Sequence, residues 1–259
     1  MSESVDLKGN KQKKLGLIAA PGWFDPTLDE FDHIISSKVE STQTILAPKD
    51  FDYSFEAMSE LEPHFNDAAR LLVQAGSELI AQVGPVFSFF SGKTPEGARE
   101  LQTRISQACG VPVILHGVAI LDALDQFACQ KIALACPYYD EEWKDKFLTF
   151  ISPLGLSIES CQSFVDQGIF CDQHAVYDRH YQFTDDEIKQ SIRLTRQAAP
   201  DAELVFVAGA GVRFLNIIQE LEDELGIPVL SADVALHWAM AKALNVKIES
   251  NSLGKLLRS

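Results

Sequence analysis

Apolar and polar positions in this chain fall into two alternating patterns. Short apolar runs bounded by Pro or Gly, LGLIAAP (15–21), SELIAQV (77–83) and VPVIL (111–115), predict buried strands, and the more polar TQTILAP (42–48) predicts another. Between them the apolar spacing becomes helical. Met58, Leu61, Phe65, Ala69 and Leu72 mark a helix over 56–75, closed by Gly76. Thr94-Pro95-Glu96 opens a helix that Gly110 closes, and 118–127 is a third. The second half repeats the alternation. Strands are predicted at 131–136, 155–164, 203–209 and 227–231. Helices are predicted at 140–151, 185–197 (capped by Thr184), 213–225 and 233–244.

The repetition extends to residue identity. GVPVILHGVAIL (110–121) and GIPVLSADVALH (226–237) share Gly, Pro, Val, Val and Ala, each 116 positions apart. Pro21 and Pro137 keep the same offset. Each half also runs a strand into a glycine loop, at Gly84 and at Gly209, although the second half is nine residues longer before its loop. Apolar strands separated by helices form parallel sheets covered on both faces. The expected fold is therefore α/β, with two pseudo-symmetric lobes, each a mostly parallel sheet flanked by helices, and the site in the crevice between them. The expected division is a loose leader over 1–13, a first lobe of 14–127 with 233–259, and a second lobe of 128–232.

Strand-end loops should meet at that crevice. They are Ala20-Pro21-Gly22, Gly84-Pro85-Val86, Pro137-Tyr138-Tyr139-Asp140 and Gly209-Ala210-Gly211. Glycine turns before helices expose backbone N–H groups that suit carboxylates or phosphates; tight turning alone is the other account of them. Neither glycine loop is a dinucleotide fingerprint or a P-loop.

Charge and composition narrow the partners. A net charge of −15 argues against nucleic acid or an anionic membrane. The five cysteines are scattered without a CxxC pair, which fits reduced thiols in a cytoplasmic protein. The start of the chain has no apolar signal segment, and no apolar run is long enough to span a bilayer.

The chain resembles the aspartate/glutamate racemase superfamily, in its branch of maleate cis-trans isomerases and arylmalonate decarboxylases. The residues that carry the resemblance are LGLIAAPG, VGPVFSFFSG, GVPVILHGVAILDAL, IALACPYYDE, VAGAGVRFLNIIQELEDELGIPVLSADVALHW and the terminal LGKLL, over about 14–257. The resemblance implies cofactor-free chemistry on carbon acids beside a carboxylate. Two cysteines, one per half, flank the substrate and move its proton; the decarboxylase branch keeps the second alone. Backbone amides and a tyrosine stabilise the enediolate. Such proteins often dimerise, which keeps a homodimer in view.

This chain departs from that pattern. The cysteine positions align with Gly84 and Gly209, and the Thr-Ser after the first reads Pro85-Val86. Pro85 has no N–H to offer. Gly22-Trp23-Phe24 stands where maleate isomerases carry an asparagine. Tyr138 matches the family tyrosine, and the amides of Ala210 and Gly211 remain.

The expected substrate-binding set is Pro21, Gly84, Pro85, Val86, Tyr138, Gly209, Ala210 and Gly211. Tyr138 and Cys136 are the candidate catalytic groups, with Cys136 or a lid histidine moving the proton, although a buried cysteine is commonly packing. The segment 166–182, with Cys171, His174, Asp178, His180 and two tyrosines, reads as a polar lid rather than a metal site. His116 and His237 read as structural, and Asp25, Asp29 and Glu30 as acids at the start of the first helix. Two functions stay open. One is a cofactor-independent isomerase, racemase or decarboxylase acting on a small carboxylate through an enolate-type intermediate with non-family acid/base residues. The other is a catalytically silent small-carboxylate binder that kept the pocket.

Overall fold

A computed structural model describes residues 13–249 and 253–259. The expected leader lies outside the described residues except for Lys13, which begins the first strand. The first lobe runs β1 (Lys13–Ala19), α1 (Thr27–Ile34), β2 (Val39–Ile45), α2 (Phe55–Ser59), α3 (Glu62–Gln74), β3 (Leu79–Gln82), α4 (Pro85–Gly92), α5 (Pro95–Cys109), β4 (Val113–Leu115) and α6 (His116–Phe127). The second runs β5 (Lys131–Ala135), α7 (Glu141–Ile151), β6 (Ser157–Gln162), α8 (Gln173–Tyr177), α9 (Asp185–Ala198), β7 (Leu204–Val207), α10 (Ile218–Leu225) and β8 (Val229–Ser231), and α11 (Ala232–Leu244) and α12 (Gly254–Leu257) follow it.

All pairings within the two sheets are parallel. Their orders, β2-β1-β3-β4 and β6-β5-β7-β8, are the same arrangement made twice. The central strands β3 and β7 are buried along their whole length, which is why they carry no polar alternation.

Local chemistry fixes the helix ends. Thr94 accepts from the Gly97 N–H at 3.0 Å to start α5, and Gly110 ends it at φ 77°. Thr184 and Glu187 form a reciprocal capping box on α9.

Three expectations need correction. The helix expected over 56–75 is two, because the Pro63 ring would clash with a carbonyl one turn earlier; Pro63 sits instead in the first turn of α3. The segment after Gly84, expected as a loop, is α4, with Pro85 at its first position. Phe87, Ser88 and Phe89 of α4 are all buried, so the helix shows no amphipathic period. The helix expected from 213 begins at Ile218, because the Phe214 N–H is taken by Asp233 Oδ2 at 2.9 Å.

The lobes meet along two seams. On one, α11 packs against α6 and reaches β3 and α1 of the first lobe, while α12 packs against α10 and β8. On the other, α4 meets α7 through rings, with Phe89 4.2 Å from Phe150 and 5.3 Å from Phe147. Among the described residues no helix is long and apolar enough to cross a membrane.

Candidate functional site

A cavity of about 320 Å³ opens between the carboxyl ends of the two sheets. Gly84, Pro85 and Val86 form one wall, and Tyr138, Ala210 and Gly211 the facing one. Six of the residues expected from sequence are thus brought together. Pro21, Gly209 and Cys136 are not in the lining. The Pro21 carbonyl accepts from Tyr53 Oη at 2.7 Å, which ties the loop after β1 to the cavity rim.

Gly84 has φ 100° and Gly209 φ 89°, a backbone region that side-chain-bearing residues rarely occupy. A Cβ on Gly84 would meet the Phe87 ring at 2.6 Å, and one on Gly209 would overlap the Tyr138 hydroxyl. Both glycines are therefore required by conformation and by close approach. The two facing loops present backbone in place of side chains.

The Gly84 loop is held on both sides. Its N–H donates to His116 Nδ1 at 3.1 Å, and its carbonyl accepts from Gln82 Nε2 at 3.1 Å. His116 Nε2 donates to the Ala232 carbonyl at 2.7 Å, so the partners select the neutral Nε2–H tautomer. Burial lowers the His116 pKa to about 4, which agrees with a neutral ring. His116 is thus an anchor between lobes. Val86, second in α4, has an N–H with no carbonyl of its own helix to bond.

The Gly209 loop is organised around a phenol. The Gly211 N–H donates to Tyr138 Oη at 2.9 Å. Burial, with Tyr181 nearby, pushes the Tyr138 pKa well above its ordinary value. The hydroxyl stays protonated and, having accepted from that amide, has its own hydrogen to give. Tyr138 stacks on Phe183 and meets Tyr181 edge-on at 5.1 Å.

The lid segment crosses this wall. Gln173 Nε2 donates to the Tyr138 carbonyl at 2.9 Å and Tyr177 Oη to Asp140 at 3.0 Å. Both Tyr177 and Tyr181 line the cavity. His174 and His180 do not.

Asp25 is the lining carboxylate, and its oxygens are already engaged. They accept from the Thr27 N–H at 2.9 Å, the Thr27 hydroxyl and Trp23 Nε1 at 3.2 Å. Behind it, Arg213 reaches across from the second lobe to Glu30, lies 3.8 Å from Asp25 and 4.0 Å from Asp233. Burial raises the Glu30 pKa against the pull of Arg213. His237 lies 3.6 Å from Glu30 and stacks on Phe31; burial lowers its pKa to about 4.

Cys136 is fully buried, with Sγ 3.9 Å from Cys161 Sγ on the neighbouring strand. Burial raises its thiol pKa well above the ordinary value. A thiol that neither faces the cavity nor ionises cannot exchange a proton with a molecule held there. The proton-moving role expected of Cys136 therefore has no geometric basis.

Sequence reasoning left out Tyr53 and Trp143, both in the lining. Tyr53 lies in an irregular segment at φ 58° and Trp143 in the first turn of α7, and neither position carries a periodic or motif signal.

A sequence model described as arylmalonate decarboxylase matches residues 51–257. The chain is 27% identical to arylmalonate decarboxylase of Bordetella bronchiseptica over 172 residues, covering 66% of this chain and 67% of that one. It is 26% identical to maleate isomerase of Geobacillus stearothermophilus over 146 residues, covering 56% of this chain and 54% of the relative. In structure, a liganded double mutant of arylmalonate decarboxylase superposes with a TM-score of 0.78 at 19% identity, covering 95% of this chain and 98% of that one. The two-lobed architecture is therefore that of the arylmalonate decarboxylase structures.

Proposed function

Starting from the membership of this chain in the arylmalonate decarboxylase family, we propose that it binds a small carboxylate bearing an apolar or aryl group in the inter-lobe cavity and stabilises an enediolate there, so that a malonate-type substrate loses carbon dioxide. The observation that carries this reading is the pair of glycines at corresponding strand ends, Gly84 and Gly209, neither of which leaves room for a side chain. Proton transfer between two faces of a carbon, as in racemisation, needs an acid/base group on each side. Decarboxylation needs none to begin. The bond to one carboxylate breaks, its electron pair passes into the remaining carboxylate, and carbon dioxide leaves.

The retained groups suit that step. The ring-lined cavity strips water from the departing carboxylate. The Tyr138 hydroxyl, polarised by the Gly211 amide, donates to the developing oxyanion, and the Val86 N–H is a second donor. Tyr181, neutral and about half exposed, returns a proton to carbon and is reprotonated from water. No thiol and no cofactor has a part in this scheme.

A second reading, a silent binder of the same ligands, is favoured by one observation: the Tyr138 hydroxyl and the Asp25 carboxylate already have partners. Proton NMR in D2O with arylmalonates, methylmalonate, maleate, aspartate and glutamate separates the two. Decarboxylation should give an arylacetate deuterated at its α-carbon, while aspartate and glutamate keep their α-protons. Tyr138→Phe should lower the rate about 100-fold, and Cys136→Ala should leave it unchanged. Saturation transfer to the acids without turnover would establish the binder instead.

A further inference from the structure

A second cavity of about 280 Å³ lies beside the first, in the crevice between α4 and α7. Its walls are mostly rings, among them Phe89, Phe90, Phe147 and Phe150. Against that apolar surface stand two ammonium groups, Lys93 and Lys146. Lys93 closes α4 at φ 65°, and Lys146 stands 5.3 Å above the Phe55 ring. Among the described residues neither lysine is paired with a carboxylate, in a chain whose net charge is −15.

Tyr139 joins the two cavities. It lies in the wall common to both cavities and is 3% exposed. Its hydroxyl has no hydrogen-bond partner among the described residues.

We propose that this crevice is a second ligand site, separate from the glycine-loop cavity, that takes a small aromatic monocarboxylate. The ring lies among the phenylalanines, and the carboxylate is met by Lys93 and Lys146. Apolar walls with a few convergent polar groups are what such a ligand needs. The two lysines set the sign of the charge and the rings the flat apolar body. Because Val86, Tyr139 and Trp143 belong to both linings, an occupant here shares a wall with the substrate cavity.

Isothermal titration of the full chain with 2-naphthoate, and with 2-naphthamide as its uncharged counterpart, tests the site. Lys93→Met with Lys146→Met should weaken one naphthoate binding event at least tenfold, and Tyr138→Phe should leave that event in place. Naphthamide should bind the same site at least tenfold more weakly in the native chain and indifferently to the lysine substitutions. Both lysines are exposed, so the melting temperature of the double variant should match the native one. Naphthoate affinity unchanged in the double variant, or naphthamide binding as tightly as naphthoate, would overturn the proposal. So would light scattering that finds a dimer dispersed by the double variant, since the crevice would then belong to a second copy of the chain.

Discussion

The loops at Gly84 and Gly209 occupy corresponding places in two lobes of the same topology, yet they are held by different means. Gly84 is fixed by neutral groups, the His116 ring on its N–H and the Gln82 amide on its carbonyl. The residues after Gly209 are fixed by the Tyr138 hydroxyl on one side and by the ion cluster of Arg213, Glu30, Asp25 and Asp233 on the other. The first loop has committed both backbone groups of its glycine to protein partners. The second binds a phenol that stays protonated and keeps its own hydrogen to donate. One lobe thus supplies a fixed wall and the other the donor that meets the ligand.

Acid should break this contrast most strongly. His116 under the Gly84 loop and His237 beside Glu30 of the ion cluster both have folded pKa values of about 4 against an ordinary 6.5. The unfolded chain takes up protons that the folded chain refuses. Stability is therefore full above pH 6.5 and falls as pH is lowered from 6.5 through 4, by about 3 kcal/mol for each ring at the limit. Denaturant titrations at pH 7 and pH 4.5 measure the loss, and His116→Gln should remove about half of the pH dependence. An unaltered slope in that variant would mean that the ring under the Gly84 loop titrates normally.

Charge removal should come next and should separate the lobes. Arg213→Ala leaves three buried or half-buried carboxylates without their cation and should cost about 3–5 kcal/mol in urea denaturation. Arg99→Ala, which breaks the exposed pairs with Asp122 and Asp125 in the first lobe, should cost under about 1 kcal/mol. Comparable losses would show that the second loop does not depend on its ion cluster.

The smallest of the three effects is steric. Gly84→Ala and Gly209→Ala each place a Cβ at positive φ, for about 1–2 kcal/mol. Gly209→Ala should also displace the Tyr138 ring and shift its resonances, while Gly84→Ala should leave them in place because its contact is with Phe87. Aromatic NMR spectra of the two variants make the comparison directly.

Features settled by short-range chemistry were legible in the sequence. Thr94-Pro95 and Gly110 bound α5 as expected, and Thr184 caps α9, because each signal acts within one helical turn. The repeat at a spacing of 116 residues anticipated two like lobes. Features settled by packing were not legible. The run PVFSFF forms a helix buried on most sides, so its pattern has no polar face to reveal a period. Cys136 lies at the right strand end, but the sequence does not say which way the chain turns its side chain, and it faces Cys161. Arg213 was read inside a helix, whereas its guanidinium bridges to Glu30 and Asp25, residues 183 and 188 positions away. Tyr53 and Trp143 reach the cavity only through the tertiary fold.

One contact joins residues that correspond to each other in the two repeats. His116 donates to the carbonyl of Ala232, 116 positions along the chain. In an assembly of two identical copies, whatever occupies this place on one side must also occupy it on the other, and two imidazoles would compete for the same space. Joining both halves in a single polypeptide removes that constraint: one side can keep the ring and the other a small residue. The covalent link is thus what permits the two walls of the cavity to diverge.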